Sequence, residues 1–202
     1  VPPDTGRRVP EVRWFAVIVV EILLAAAFVH VVFALLLYNS LMRVRQRVRQ
    51  SWALVDVELQ RRHDLIGNLV DTVKAAAAFE RNTLVALVNA RNAAIAAPAT
   101  ADARGPVEQA LVARTREVLA LAEGYPDLKA SRNFLQLQEE LVECEDRIAV
   151  ARRVYNANVR SQNIRVEVVP SNLIAKLAHV GPAAYFEVDA AVRSAPPPPV
   201  RR

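Results

Sequence analysis

Between Pro10 and Pro98 the chain carries no proline, and its only glycine there is Gly67. Proline removes a backbone donor and clashes with the turn before it, and glycine loosens a helix. A run this long without either reads as helix. An all-β fold would need turn signals every ~8–12 residues, and they are missing. The glycines, at 6, 67, 105, 124 and 181, are nowhere clustered, which excludes the glycine-rich loops that cradle phosphates and dinucleotides. Hydrophobic residues make up 53% of the chain but aromatic ones only 6%. Alanine fills much of the difference, and it is the best helix former.

Within that run, residues 14–37 read WFAVIVVEILLAAAFVHVVFALLL. As a helix they span roughly 36 Å, enough for a hydrocarbon core of about 30 Å. Trp14 and Tyr38 stand at the ends, where amphipathic rings favour the interface. The stretch is too long for a signal-peptide core. Glu21 and His30 interrupt it on opposite helix faces, so they cannot pair within one helix. Ala26, His30 and Ala34 form a stripe of small residues around one polar group, a pattern suited to close helix packing. Arg43, Arg45, Arg47 and Arg49 follow the span and outnumber Arg7, Arg8 and Arg13 before it. That bias places the large C-terminal part inside. A lone cysteine, Cys144, rules out an intrachain disulfide framework and agrees with an interior location.

Past the membrane, apolar residues recur at Leu41, Val44, Val48, Trp52, Val55, Leu59, Ile66, Leu69, Val73 and Ala77. The spacing is close to a heptad, with Arg62 filling the skipped step. It predicts a coiled-coil-like spine leaving the membrane unbroken and reaching Ala97, where Pro98 stops it. A loop over 97–106 then leads to a second helix over 107–123, with Pro106 at its first position and Gly124 at its end. GYPDLKAS reads as a turn. A third helix covers 131–163 on a seam of Phe134, Leu137, Leu141, Cys144, Ile148, Ala151, Tyr155 and Val159. Cys144 on that seam reads as a small buried residue. The alternating IRVEVV at 164–169 suggests a short strand or extended linker. Ser171 reads as the N-cap of a short helix that Gly181-Pro182 ends. The fold class predicted is all-α: one transmembrane helix continuing into a long-helix antiparallel bundle of three main helices plus a short C-terminal one. The divisions are a disordered tail at 1–13, the span at 14–37, the bundle at 38–189 and a proline-rich disordered tail at 190–202.

No catalytic set emerges. The three histidines, His30, His63 and His179, fall in neither HExxH nor Glu-x-x-His, so zinc-protease and di-iron ligands are lacking. The acidic run Glu139, Glu140, Glu143, Glu145 and Asp146 reads as a solvated helix face with arginine partners, among them Glu143 with Arg147; Glu58 with Arg62 is a second pair of the same i, i+4 kind. Neither a metal nor a cofactor is expected. Two regions go beyond bundle filling. The arginines at 43, 45, 47 and 49 suit anionic lipid, at about 1 kcal/mol each near the surface; without interleaved aromatics they do not suit nucleic acid. Arg61, Arg62, His63, Asp64 and Asn68 crowd into less than three helical turns. Arg62, at a seam step, calls for an acid from another helix, with Glu139 or Glu140 the expected partner.

These residues resemble the LemA family. The resemblance is carried by Tyr38-Asn39-Ser40-Leu41, the stretch from Gln60 to Ile66 with Asn68-Leu69-Val70, Tyr125-Pro126-Asp127-Leu128-Lys129-Ala130, and Asn133-Phe134-Leu135. It continues through Leu137-Gln138-Glu139-Glu140-Leu141, Arg147-Ile148-Ala149, Tyr155-Asn156, Pro170-Ser171-Asn172-Leu173 and Tyr185-Phe186. The family commonly has proline at the Gly67 position and phenylalanine at that of Val169. The resemblance implies a single-pass protein of the bacterial plasma membrane, with its N-terminus outside and a helical cytoplasmic domain. The expected role is a non-enzymatic scaffold or signalling protein whose partners are the bilayer, unidentified proteins and further copies of itself. A second reading is a membrane-surface module for anionic ligands using the arginine block. Tyr125, Pro126, Tyr155, Asn156, Ser171 and Asn172 join the arginine block, the 61–68 cluster, Glu139 and Glu140 as interaction candidates.

Overall fold

The structure is a computed structural model that describes residues 10–75 and 80–187. The tail expected at 190–202, Ala77 and most of the N-terminal tail lie outside the described residues. The rest is mainly helical, with no strand among the described residues: α1 Pro10–Lys74, α2 Arg81–Ala96, α3 Ala101–Ala122, α4 Pro126–Lys129, α5 Arg132–Glu167 and α6 Ser171–Leu177. The chain forms two compact units. One is the chain through Arg43 with Arg165–Gly181; the other is Val44–Ile164 with the chain from Pro182 onward.

In the first unit, the N-terminal part of α1 is long and apolar enough to cross a membrane, and its apolar window is entirely unburied. Ile22, Leu23, Leu24, Phe28 and Val29 are all exposed, a surface that suits lipid and not water. His30 Nδ1 donates to the Ala26 carbonyl at 2.7 Å, so its polarity is met within its own helix. Leu41, Ala175 and Val180 form a small buried cluster, and Arg165 donates to the Ser40 carbonyl at 3.0 Å. Ser171 differs from expectation. Its Oγ donates to the carbonyls of Arg165 and Val168, at 2.7 and 2.9 Å, so it closes the C-terminal end of α5 and does not cap the start of α6. The residue that stops α6 is also not Gly181. His179 takes φ 51°, its N–H bonds the Lys176 carbonyl, and that of Val180 bonds Ala175. This is the paired bonding of a Schellman stop.

The second unit is a bundle of α2, α3 and the facing parts of α1 and α5. The predicted seams are buried: Val48, Val55, Leu59, Ile66, Leu69 and Val73 on α1; Phe134, Leu137, Leu141, Cys144, Ile148, Tyr155 and Val159 on α5. Three boundaries differ. The expected spine to Ala97 is two helices, because α1 ends at Lys74 and α2 folds back beside it. This return buries Leu84, Leu87 and Ala94 and sets Arg91 against Gly67, contacts that one straight helix would forgo. The second predicted helix starts earlier, at Ala101, and runs through Pro106. Proline disfavours helix in the residue before it partly by striking that residue's Cβ, and here that residue is Gly105. Finally, α5 absorbs IRVE, ending at Glu167. GYPDLKAS contains the one-turn helix α4, with Pro126 in its first turn.

Candidate functional site

At the centre of the second unit lies a charge cluster. Arg62 and His63 on α1 and Glu108 on α3 are 1%, 2% and 0% exposed, a burial that charged side chains tolerate only when paired. His63 Nε2 donates to Glu108 Oε1 at 2.8 Å. Arg62 Nη2 lies 3.2 Å from Glu108 Oε2 as a charge contact that is not aligned as a hydrogen bond. Arg62 Nη1 donates to Glu145 Oε1 on α5 at 3.0 Å. From α2, Arg91 Nε donates to the His63 carbonyl at 2.6 Å; a Cβ on Gly67 would sit 3.3 Å from the Arg91 guanidinium. The four helices thus converge on two adjacent residues of α1. The acids that pair Arg62 are Glu108 and Glu145, not Glu139, Glu140 or Glu58. Glu108 was missed, although its spacing marks it: with Leu111, Thr115, Val118 and Ala122 it forms the buried stripe of α3.

The remaining sequence candidates scatter. Asp64 is exposed and accepts from Gln60 Nε2 at 3.1 Å, Asn68 is exposed, and Arg61 is half-buried. Arg43, Arg47 and Arg49 are exposed and Arg45 is half-buried. Glu140 accepts from Gln136 at 2.9 Å and Glu139 is exposed. Tyr125 packs on the core, while Pro126 is exposed. Glu143 and Arg147 pair at 2.5 Å as expected, and the arginine holds the Glu143 carboxyl below its ordinary range. Ser171 and Asn172 lie in the first unit. Cys144 is buried, its Sγ 3.5 Å from the Glu58 carbonyl, and burial pushes the thiol up to about 11.

Tyr155 and Asn156 instead hold an extended segment of their own chain. Asn156 Nδ2 donates to the Phe186 carbonyl at 3.1 Å, and Phe186 N–H donates to Asn156 Oδ1 at 2.9 Å. Asn163, seven residues later on the same face, does the same to Ala183 at 3.0 and 2.8 Å. Tyr155 Oη donates to the Ala184 carbonyl at 2.8 Å, and burial raises its phenol above the ordinary range. Phe186, 0% exposed, meets Trp52 edge-on at a centroid distance of 5.5 Å, and Trp52 also meets Tyr155 at 5.2 Å. Trp52 Nε1 donates to the Ala99 carbonyl at 2.9 Å.

The LemA family model matches residues 51–200, which takes in the charge cluster, both asparagines and the segment they hold. The chain belongs to the LemA family. Among similar proteins, magnetosome proteins MamQ 1 and MamQ 2 of Paramagnetospirillum magneticum are each 25% identical over 216 residues, covering 93% of this chain and 77% of the relative. Protein LemA of Metamycoplasma hominis is 28% identical over 151 residues, 74% of this chain and 68% of the relative. In this LemA-family chain α1 runs through Gly67 without a break to Lys74. The family motifs around His63 and Tyr155-Asn156 therefore fall on internal contacts, the first in the charge cluster and the second under the returning segment.

Proposed function

We propose that this membrane-associated helical protein is a non-enzymatic scaffold, anchored through α1 with its bundle on the cytoplasmic side, and that it assembles with further copies of itself. The observation that carries the reading is an outward apolar face. Leu54 and Val57 on α1 and Val150 and Val154 on α5 line one shallow groove, and they are exposed by 59%, 65%, 54% and 46%. Exposed apolar residues gathered on neighbouring helices mark a contact surface. Glu58, Glu143, Asp146 and Arg147 border the groove, so both signs of charge are present and the patch can complement its own two-fold copy. Confinement to a bilayer raises the effective concentration of such a surface. The charged groups buried in the bundle, Arg62, His63 and Glu108, engage each other, which suits register-setting better than turnover. The four-to-three arginine bias across the span supports the orientation.

The test is recovery of the full chain from membranes in mild detergent, with a photo-crosslinker at Val150. The expected result is a crosslinked dimer that Leu54→Glu with Val154→Glu abolishes. A chain recovered only as an uncrosslinked monomer would count against the proposal. The exposure of Arg43, Arg47 and Arg49 favours one further reading, a grip on anionic headgroups. Salt-sensitive flotation of residues 38–202 with anionic vesicles would support it, and absence of binding removes it.

A further inference from the structure

A hollow of about 390 Å³ lies between α3 and α5 beside Arg62. Its lining runs from Gln109 through Ala113 to Arg116 on α3, and from Glu145 through Ala149 to Arg152 on α5. Both sets step by 4 and then 3, so each is one helix face. Alanine stands at the middle of both walls, and side chains that stop at Cβ leave room that longer ones would fill. The volume is that of a small-molecule site. The polar groups around it are unevenly met. Arg62 is 1% exposed and its Nη1 donates to Glu145 Oε1 at 3.0 Å. Its Nε has no hydrogen-bond acceptor, and its Nη2 has only the unaligned contact with Glu108. Buried donors in that state are costly. Arg116 and the half-buried Arg152 add a guanidinium from each wall. Among the described residues neither has a hydrogen bond or ion pair. The other acid of the lining, Asp146, is exposed and also borders the α1–α5 groove. Three guanidiniums thus face two carboxylates, one of which Arg62 already engages.

We propose that this hollow binds a small phosphate monoester. Guanidinium forks match oxyanions. A phosphate group carries three strong acceptor oxygens, so it can accept from arginines on three helices, where one carboxylate presents two oxygens in a single plane. The room left by Ala113 and Ala149 takes the organic part of the ester, and Gln109 offers it a polar contact. Glu145 marks the route. Its carboxylate already holds Arg62 from the solvent side, with 45% of the side chain exposed. It is an internal stand-in for the anion. When Glu145 turns to water, Arg62 Nη1 passes to the ligand. The site uses none of the arginines at 43, 45, 47 and 49, so it is distinct from a grip on the membrane surface. A ligand here joins α1, α3 and α5 and stabilises the bundle by mass action.

The test titrates the full chain in mild detergent with glycerol 3-phosphate at fixed ionic strength, followed by calorimetry. Saturable binding is expected. Arg116→Gln and Arg152→Gln should each weaken it about tenfold or more, and Ala149→Leu should block it by filling the hollow without a change of charge. Glu145→Gln should tighten it, because the competing carboxylate is gone. Arg160→Gln, at an exposed arginine of α5 outside the hollow, should leave it unchanged. Circular dichroism confirms that the variants are folded; Arg116 and Arg152 have no internal partner to lose. Phosphatidic acid in the same detergent separates two sources of the same chemistry. If it displaces glycerol 3-phosphate the site accepts a lipid headgroup, and if it does not the ligand is a soluble ester. Absence of saturable binding would overturn the proposal. So would an equal loss in Arg160→Gln, or weaker binding in Glu145→Gln.

Discussion

Arg62 and Glu108 form an ion pair inside the bundle, Nη2 to Oε2 at 3.2 Å, with the side chains 1% and 0% exposed. Such a pair adds little net stability over apolar residues, but each charge needs the other, because an unpartnered buried ion is worse than none. Arg62 has a second acid in Glu145, whose side chain is 45% exposed and can return to water. The two acids therefore differ in weight. Glu108→Ala should cost about 3–5 kcal/mol, since it removes the fully buried partner of Arg62 and also the partner of His63. Glu145→Ala should cost about 1 kcal/mol or less. Denaturant melts of the two variants in the same detergent decide; equal losses would mean that the buried contact is not the one that matters. Arg62→Met combined with Glu108→Leu should recover most of the loss.

A second contrast concerns two glycines. Alanine in place of a helical glycine ordinarily gains about 0.5–1 kcal/mol. At Gly67 the added Cβ would meet the guanidinium end of Arg91 at 3.3 Å, which can swing away at the cost of its bond to the His63 carbonyl. Gly67→Ala should therefore change stability by less than about 1 kcal/mol in either direction. At Gly105 the Cβ would meet a backbone carbonyl, that of Glu187, at 2.7 Å. It would also restore the clash with Pro106 that glycine avoids. Gly105→Ala should lose about 1–3 kcal/mol despite the better helix propensity, and thermal unfolding of the pair shows whether the signs separate this way.

Much of this bundle is written in the seams. The 3- and 4-residue spacing from Val48 to Val73 and from Phe134 to Val159 gives the buried faces directly, because burial of one helix face imposes that period. Arg62 stands out as an interruption, and the need for an acid follows from its position. The identity of that acid does not, since helix-to-helix register is set by packing across the core. Glu108 could still have been marked as the one acid on the α3 stripe. Boundaries were less legible. Nothing in the composition around Lys74 breaks a helix; α1 ends there because α2 buries more by turning back. IRVEVV alternates like a strand, yet α5 carries its first residues onward, tertiary context overriding a weak local preference. The role of Asn156 and Asn163, seven apart on one helix face, shows only once a backbone lies across them.

Those two asparagines make a further prediction. Each amide both donates to and accepts from one residue of the returning segment, substituting for a neighbouring strand. Asn156→Ala would leave the N–H and carbonyl of buried Phe186 without these partners, at a cost of about 1–3 kcal/mol. Asn156→Asp keeps the acceptor for the Phe186 N–H but turns a carboxylate oxygen toward the carbonyl, so it should be no better. Trp52 reports the outcome, because Phe186 packs on its ring edge-on at 5.5 Å. In a Trp14→Phe background, both variants should shift Trp52 emission to the red. Unchanged emission would mean that Phe186 is seated without the clasp.

Cys144 sets an alkaline limit on the fold. Its thiol is buried beside the Glu58 carbonyl, 3.5 Å away, and is pushed from an ordinary 9.0 up to about 11, mainly by desolvation. Since the folded value lies above the unfolded one, the folded chain keeps its proton where the unfolded chain has lost it. Below about pH 9 both states are protonated and the full contribution is present. Between about pH 9 and 11 the unfolded state binds fewer protons, so stability falls as pH rises, by roughly 2 kcal/mol across that window. Tyr155 falls in the same sense at higher pH, its phenol being raised by burial and by the charge of Asp102. The two are separated by substitution. Cys144→Val removes the thiol and keeps the seam apolar, so its stability should decline less between pH 9 and 11 than that of the native chain while retaining the tyrosine part. Melting temperatures of both chains from pH 7 to 11 measure this; parallel curves would show that the thiol does not contribute.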